Sequence, residues 1–302
     1  MLSLIHLPYD SGHHGARMGR GPLHFRERGA TDRLRAAGHD VVASLIDAAT
    51  PFPTEVSTTF ALQHSLADAV RTSIDRERFP LVLAGNCSSS LGIMSGIRAA
   101  APNDASPVGV IWLDAHADFN TPETTTTGFL DGMALAALAG RCWHGMTAAI
   151  PGFQPVSDAH AVLLGARDID AAEERLLAES RVTRVEAARL QADGANAALG
   201  VALTRLAAHG VARVYLHIDL DVHEPAEAQA NHYAVPGGLS PSTVCDVVRC
   251  VADHFTIAAA ALTAYDPTYD PDDRMLEAGL QLMGVLGQLG TGNRERGTEA
   301  AR

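Results

Sequence analysis

The stretch "VGVIWLDAHADFN", residues 108–120, joins an apolar, β-branched run to an alternation of Asp114, His116 and Asp118. An apolar run of this length reads as a strand buried on both faces. Residues spaced by two on extended backbone point the same way, so the two acids and the imidazole face one side. The same pattern recurs twice. "LVLAGNCSSS", residues 81–90, ends in Cys87, and "ARVYLHIDLDVHEP", residues 212–225, ends in Asp219 and Asp221.

Working outward, apolar runs occur at "LSLIHLP", "DVVASLI", "FPLVLAG", "VGVIWLD", "AVLLGAR", "RVTRVEA", "RVYLHID" and "FTIAAAALTAYD". Stretches with helical spacing lie between them, including residues 61–76, 195–209 and 242–254. Strands that alternate with helices imply βαβ units and a mostly parallel sheet covered on both faces. The expected fold is therefore a three-layer α/β/α domain over residues 1–290, with about eight strands. The polar tail, residues 291–302, is expected to be disordered. "NTPETTTTGFLDG", residues 120–132, is too long for a plain turn and reads as a functional loop.

Composition narrows the function. The chain has 302 residues, a formal charge of -12 and 47% hydrophobic residues. That charge disfavours nucleic acid and anionic membranes as partners. All 23 basic residues are arginine. The lack of lysine excludes a Schiff-base lysine, a pyridoxal-phosphate anchor and a Walker A loop. The start "MLSLIHLPYD" has no basic segment ahead of its short apolar run, and no run approaches membrane-spanning length. Cys87, Cys142, Cys245 and Cys250 show neither CxxC nor disulfide spacing. The expectation is a cytoplasmic protein acting on a small molecule.

Open parallel sheets bind ligands at the carboxyl ends of their strands, where these acids fall. Four carboxylates brought together without a lysine would repel, and a divalent cation is the simplest compensation. Carboxylates with imidazole suit manganese, or less specifically iron, cobalt or zinc. So many acids suggest two ions sharing bridging carboxylates. A lone DxD also serves glycosyltransferases, but DxHxD does not belong to that pattern.

"LDAHADFNTPETTTTGFLDGMALA" and "HIDLDVHEP" resemble the ureohydrolase family of arginases, agmatinases and formiminoglutamases. The resemblance extends to "GARMGRGP", "LLGARDID" and "YDPTYD", and so covers nearly the whole chain. It implies a three-layer α/β/α fold with an eight-stranded parallel sheet. It also implies two Mn2+ ions with a bridging hydroxide that attacks a guanidinium carbon, and a homo-oligomer, trimer or hexamer. Position by position, Asp114 and Asp219 would bridge the ions, and His116 and Asp221 would complete one of them. Asp118 would bind the other and orient the hydroxide. Asn120, Thr127, Asp170 and Glu173 match positions that hold the α-carboxylate and α-amino groups of an amino-acid substrate. Loop capping is the alternative for those four.

The chain departs from the family at three places. Cys87 stands where the family has a metal-binding histidine. It is either a thiolate ligand, which would weaken manganese at that site, or a packed cysteine. Asp131 stands where arginases carry a proton-shuttling histidine, and its ordinary acidity would make it a partial replacement. Ala264 stands where a glutamate meets the guanidinium; Asp266, two residues on, would substitute if it faces the same side. The first two departures are similar to those of a member that hydrolyses Nω-hydroxy-L-arginine in D-cycloserine biosynthesis. The expected activity is hydrolysis of a guanidino or hydroxyguanidino group on an arginine-like amino acid, releasing ornithine with urea or hydroxyurea. The alternatives are a formimino or other amidine hydrolase, and a non-catalytic binding or regulatory member.

Overall fold

The computed structural model describes residues 1–49 and 52–299, with side chains through residue 290. The chain opens with β1 (Leu2–Leu7), a short hairpin of β2 (Tyr9–Asp10) and β3 (His13–His14), then α1 (Arg20–Glu27) and α2 (Ala30–Ala36). Next come β4 (Val41–Leu45), α3 (Glu55–Asp75), β5 (Phe79–Ala84), α4 (Ser89–Ala99) and β6 (Val108–Leu113). After a long loop follow α5 (Ala134–Leu138), α6 (His144–Ala148), β7 (Ala161–Leu164), α7 (Ala171–Ala178) and β8 (Thr183–Val185). The last part holds α8 (Ala187–Ala208), β9 (Arg213–Asp219), α9 (Pro241–His254), β10 (Thr256–Thr263) and α10 (Arg274–Glu299).

All eight runs expected as strands form one eight-stranded parallel sheet, in the order β4-β1-β5-β10-β9-β6-β7-β8. Such strands need apolar cover on both sides. One core lies under α1, α2, α8, α9 and α10, and the other under α3, α4 and α5. Alternation divides the six inner strands between them, while the edge strands β4 and β8 bury only Val41 and Val185, both in the first core. Leu216 and Ile218 of β9 enter the first core, while Tyr215 enters the second.

Helix boundaries follow local chemistry. Thr54 caps α3 by accepting from the Ser57 N–H at 3.1 Å, and Ser240 caps α9 by accepting from Thr243 N–H at 3.1 Å, with Pro241 in its first turn. The helix expected from residue 195 restarts after Gly194, whose φ of +74° interrupts α8. Backbone of the expected tail is helical to Glu299, and its last three residues lie outside the described ones. Among the described residues no helix is long and apolar enough to cross a membrane.

The strand order sets the site. From β5 the chain crosses to β6, leaving two places that β9 and β10 fill later. The carboxyl ends of β5, β10, β9 and β6 therefore lie side by side at a topological switch point. Close approach there demands glycine. A Cβ on Gly85, just past β5, would sit 2.3 Å from the Tyr9 carbonyl oxygen and 2.8 Å from Gly19 Cα. Gly85→Ala should cost about 1–3 kcal/mol in urea unfolding, because backbone must move. Gly200→Ala, on α8 with nothing within 4 Å of the new methyl, should instead gain up to about 1 kcal/mol from helix propensity. Equal effects at the two positions would contradict this packing.

Candidate metal centre

A cavity of about 210 Å³ opens at the ends of the four central strands. Its size is below the roughly 300–1,000 Å³ of drug-sized pockets and suits an amino-acid-sized ligand. Asp118, Asp131, Asp219 and Asp221 line its buried floor with Cys87 and His116, and Asn120, Thr127, Asp168, Asp170 and Glu173 line its wall. Asp114 lies just beneath.

Each acid is placed by its strand end. Asp114 follows β6; it accepts from the His116 backbone N–H at 2.7 Å and from the Trp112 indole N–H at 3.0 Å. Asp219 ends β9 and accepts from Asp221 N–H at 2.8 Å, while Asp221 accepts from Ala115 N–H at 3.1 Å, so the two strand ends are laced together. His116 Nδ1 lies 3.4 Å from Asp114 and 3.3 Å from Asp221. Among the described residues no lysine or arginine lines the cavity. Two bare carboxylates 4 Å apart repel by about 4 kcal/mol at an effective dielectric of 20, so one imidazolium cannot balance this group.

The titration behaviour follows. Burial and the neighbouring Asp221 push Asp114 up to about 6. Burial, reinforced by Asp114 for Asp118 and by Asp221 for Asp219, lifts both well above the usual carboxylate range. Burial opposes charge on His116 and Asp221 too, but each holds the other charged, the imidazole raised and the carboxylate lowered. Burial lifts the Cys87 thiol well up, with Asp219 and Asp131 adding to the effect; its S–H donates to Asp219 Oδ2 at 3.0 Å.

These residues fit divalent cations. Asp114, His116 and Asp221 offer ligand atoms all within 4.8 Å of one another, and so do Cys87, Asp114 and His217. Asp114 is common to both groups. Asp118 Oδ2 is buried with no hydrogen-bond partner among the described residues, an acceptor aimed at something other than protein. Asp118 and Ala264 also hold left-handed backbone, φ +49° and +62°, at the two strand ends that flank the cavity.

The remaining residues named from sequence divide. Glu173 accepts from the Phe119 N–H at 2.7 Å and from the Asp170 N–H at 3.2 Å, joining the loop after β6 to the start of α7 in a capping box. Asn120 donates to Asp170 Oδ2 at 3.4 Å. Thr127 accepts from Phe129 N–H at 3.1 Å within the threonine-rich loop. Asp131 accepts from the Asn86 amide and the Ser88 N–H, both at 2.9 Å, so it grips the turn that carries Cys87. Burial pushes Asp131 up to about 7 against those bonds. Asp266 does not reach the cavity. Left-handed backbone at Ala264 breaks the alternation that would have aligned the two, and the Asp266 carboxylate accepts from the Thr268 N–H at 3.0 Å.

Sequence reasoning missed His217, Asn231 and Tyr233. His217 continues the period of two through Asp219 and Asp221, a signal present in "HIDLD". Asn231 donates to Ala264 O at 2.7 Å and Asp221 Oδ2 at 3.4 Å, and Tyr233 stacks on Phe129 at the cavity mouth. Neither has a pattern to find; both come from an irregular loop.

Raised carboxylate pKa values mean that the folded chain binds more protons than the unfolded one. Asp131 moves from 3.8 to about 7 and Glu173 from 4.5 to about 7. Their contribution is full below the unfolded values and is lost as pH rises through about 7; His116, raised from 6.5, adds in the same direction. Burial lowers His217 to about 3 and His223 to about 4, which works the other way up to about pH 6.5, so in chelator the Tm should fall between about pH 6.5 and pH 8. Manganese should raise it by roughly 5 °C or more at pH 8, and by less at pH 5. A chelated protein whose Tm is flat or rising between about pH 6.5 and pH 8 would contradict the assignment.

Comparison with known proteins finds relatives over nearly the whole chain. The profile described as Arginase family matches residues 2–286. The chain is 28% identical to an arginase of Bacillus caldovelox, over 94% of this chain and 97% of that one. Its fold is similar to a crystal structure of arginase from Bacillus cereus, with a TM-score of 0.83, 29% identity and coverage of 95% and 98% of the two chains. It is also similar in fold, at 18% identity and a TM-score of 0.70, to a hypothetical agmatinase from Burkholderia thailandensis, over 97% and 86% of the two chains. With its eight-stranded parallel sheet and the acids and His116 gathered at its strand ends, the chain belongs to the arginase family, hydrolases of C–N bonds in linear amidines.

Proposed function

We propose that this chain is a binuclear, manganese-dependent hydrolase of a guanidino or hydroxyguanidino group on an arginine-like α-amino acid. The observation that carries the reading is one cavity with two unlike ends. Buried acids and His116 form the floor, and Asn120, Thr127, Asp170 and Glu173 form a polar rim.

Asp114, His116, Asp118, Asp219 and Asp221, with Cys87, would hold the ions. When bound, the cations supply a water acidic enough to attack near neutral pH and positive charge for the developing oxyanion. The protein supplies placement. Asp118 Oδ2, free of protein donors, is set to accept a proton from the attacking water. Asp131, near neutral in its pKa, is set to hand a proton to the leaving nitrogen. Asp170 meets the α-ammonium, and Asn120 and Thr127 meet the α-carboxylate. Phe129 and Tyr233 stack 5.8 Å apart and narrow the mouth against water.

A second reading has its own observation. Ala264 lines the cavity and Asp266 is turned away, so among the described residues β10 brings no carboxylate into the cavity to pair with a full cation. A hydroxyguanidino group, which is less basic, suits this wall better than arginine, and a formimino or neutral amidine group suits it as well. Release of ornithine from arginine and from Nω-hydroxyarginine, compared with turnover of formimino substrates, separates these readings.

Asp170→Ala should raise KM for the α-amino acid substrate by roughly 10–100-fold, as expected for losing a charged hydrogen bond of about 1.5–3 kcal/mol. An analogue lacking the α-amino group should be unaffected. Equal losses for both would make Asp170 a helix cap only. Asp114→Asn should remove bound metal and activity together, because Asp114 belongs to both ligand groups. Full metal content in that variant would contradict the proposed centre.

A further inference from the structure

His217 has no part in the proposed reaction, yet it is fully buried beneath the cavity floor, beside Cys87 and Asp114. It lies on β9 in step with Tyr215 and Asp219, so all three side chains share a face. Its ring stacks on Trp112 at 3.6 Å with 15° between planes. Nδ1 lies 2.7 Å from the Tyr215 hydroxyl. That turns Nε2 to the other side, 3.4 Å from Thr263 Oγ1, which itself lies 3.3 Å from Cys87 Sγ. Trp112 donates its indole N–H to Asp114, so the residue that positions the ring also positions the shared carboxylate.

We propose that His217 Nε2 is a metal ligand, and that with Cys87 and Asp114 it forms an inner thiolate–imidazole–carboxylate site which selects zinc over manganese. The inference rests on the reading above in one respect, that the centre binds cations. The ligand atoms of the three residues already lie within 4.8 Å of one another, inside the span of one coordination sphere. Metal-bound histidines characteristically donate their other ring N–H to an oxygen, and the Tyr215 hydroxyl stands ready as that acceptor. A neutral imidazole also supplies coordination without adding an anion to an already acidic floor. Sulfur, nitrogen and oxygen together suit borderline-soft zinc, cobalt(II) or iron(II); His116 with Asp114 and Asp221 suits manganese. The centre is thus unsymmetrical, with a softer cation inside, a harder one outside and Asp114 between them.

The test uses the full chain, stripped of metal and given one equivalent of zinc with excess manganese. Elemental analysis should find zinc and manganese both retained, near one of each. Zinc-edge X-ray absorption should show one sulfur and one imidazole in the same shell. Cobalt(II) in place of zinc should give a sulfur-to-cobalt charge-transfer band. Loss of a residue that merely orients a ligand costs roughly 10–100-fold in affinity, so His217→Gln should weaken zinc by about 100-fold or more and Tyr215→Phe by about tenfold. Thr263→Val, which removes the hydrogen-bond partner of Nε2, should keep zinc and the cobalt band. Sulfur without imidazole at the zinc edge, or unchanged zinc affinity in folded His217→Gln, would make His217 a packed histidine and overturn the proposal. If that variant does not fold, the absorption spectrum of the unaltered protein decides alone. None of these readouts is turnover. A chain that cleaves no amidine leaves the inner site standing, and one that cleaves its substrate with manganese at both sites removes only this proposal.

Discussion

Mutual repulsion among buried carboxylates governs this structure. Asp114, Asp118, Asp219 and Asp221 are all buried, and against their charge the fold offers one imidazolium, backbone N–H groups and the neutral donors of Trp112, Cys87 and Asn231. A repulsion of about 4 kcal/mol for one close pair is a large part of the 5–15 kcal/mol by which a domain is stable. Such a cluster persists only with protons or cations among its members. The orphaned Asp118 oxygen and the raised pKa values of Asp118 and Asp219 are two expressions of that constraint.

Topology brings the acids together, and local backbone aims them. The skipped strand positions between β5 and β6 let β9 and β10 insert, so segments far apart in the chain end side by side. Left-handed backbone at Asp118 and Ala264 bends the chain at the strand ends, at a cost on the order of 1–3 kcal/mol each. Asp131, reaching from the loop beyond β6, then fixes the Asn86–Ser88 turn. Cys87 is thereby held by a residue that sequence alone suggested for proton transfer. Both roles are compatible in one carboxylate whose pKa lies near 7.

The six inner strands were legible because strands buried on both faces must be written as continuous apolar runs; the edge strands β4 and β8, with only Val41 and Val185 buried, were legible from their place in the strand–helix alternation. Asp114, His116 and Asp118 were legible because a period of two survives at the end of β6. The same reasoning failed at Asp266, since a positive φ at Ala264 destroys the period on which it depended. His217 went unread for the opposite reason. It lies inside a strand, where a histidine among apolar residues reads as packing until Cys87 and Asp114 from other strands are seen beside it. Asn231 and Tyr233 were beyond reach, because an irregular loop carries no periodicity to reveal what it faces.

Two cations sharing Asp114 are the heart of the proposed centre. Anomalous scattering from crystals of the chain grown with manganese and zinc measures this most directly. Two peaks about 3.5–4 Å apart, with Asp114 between them, are the predicted result. A floor with no peak, with Asp114 and Asp219 held only by protein donors, would contradict it.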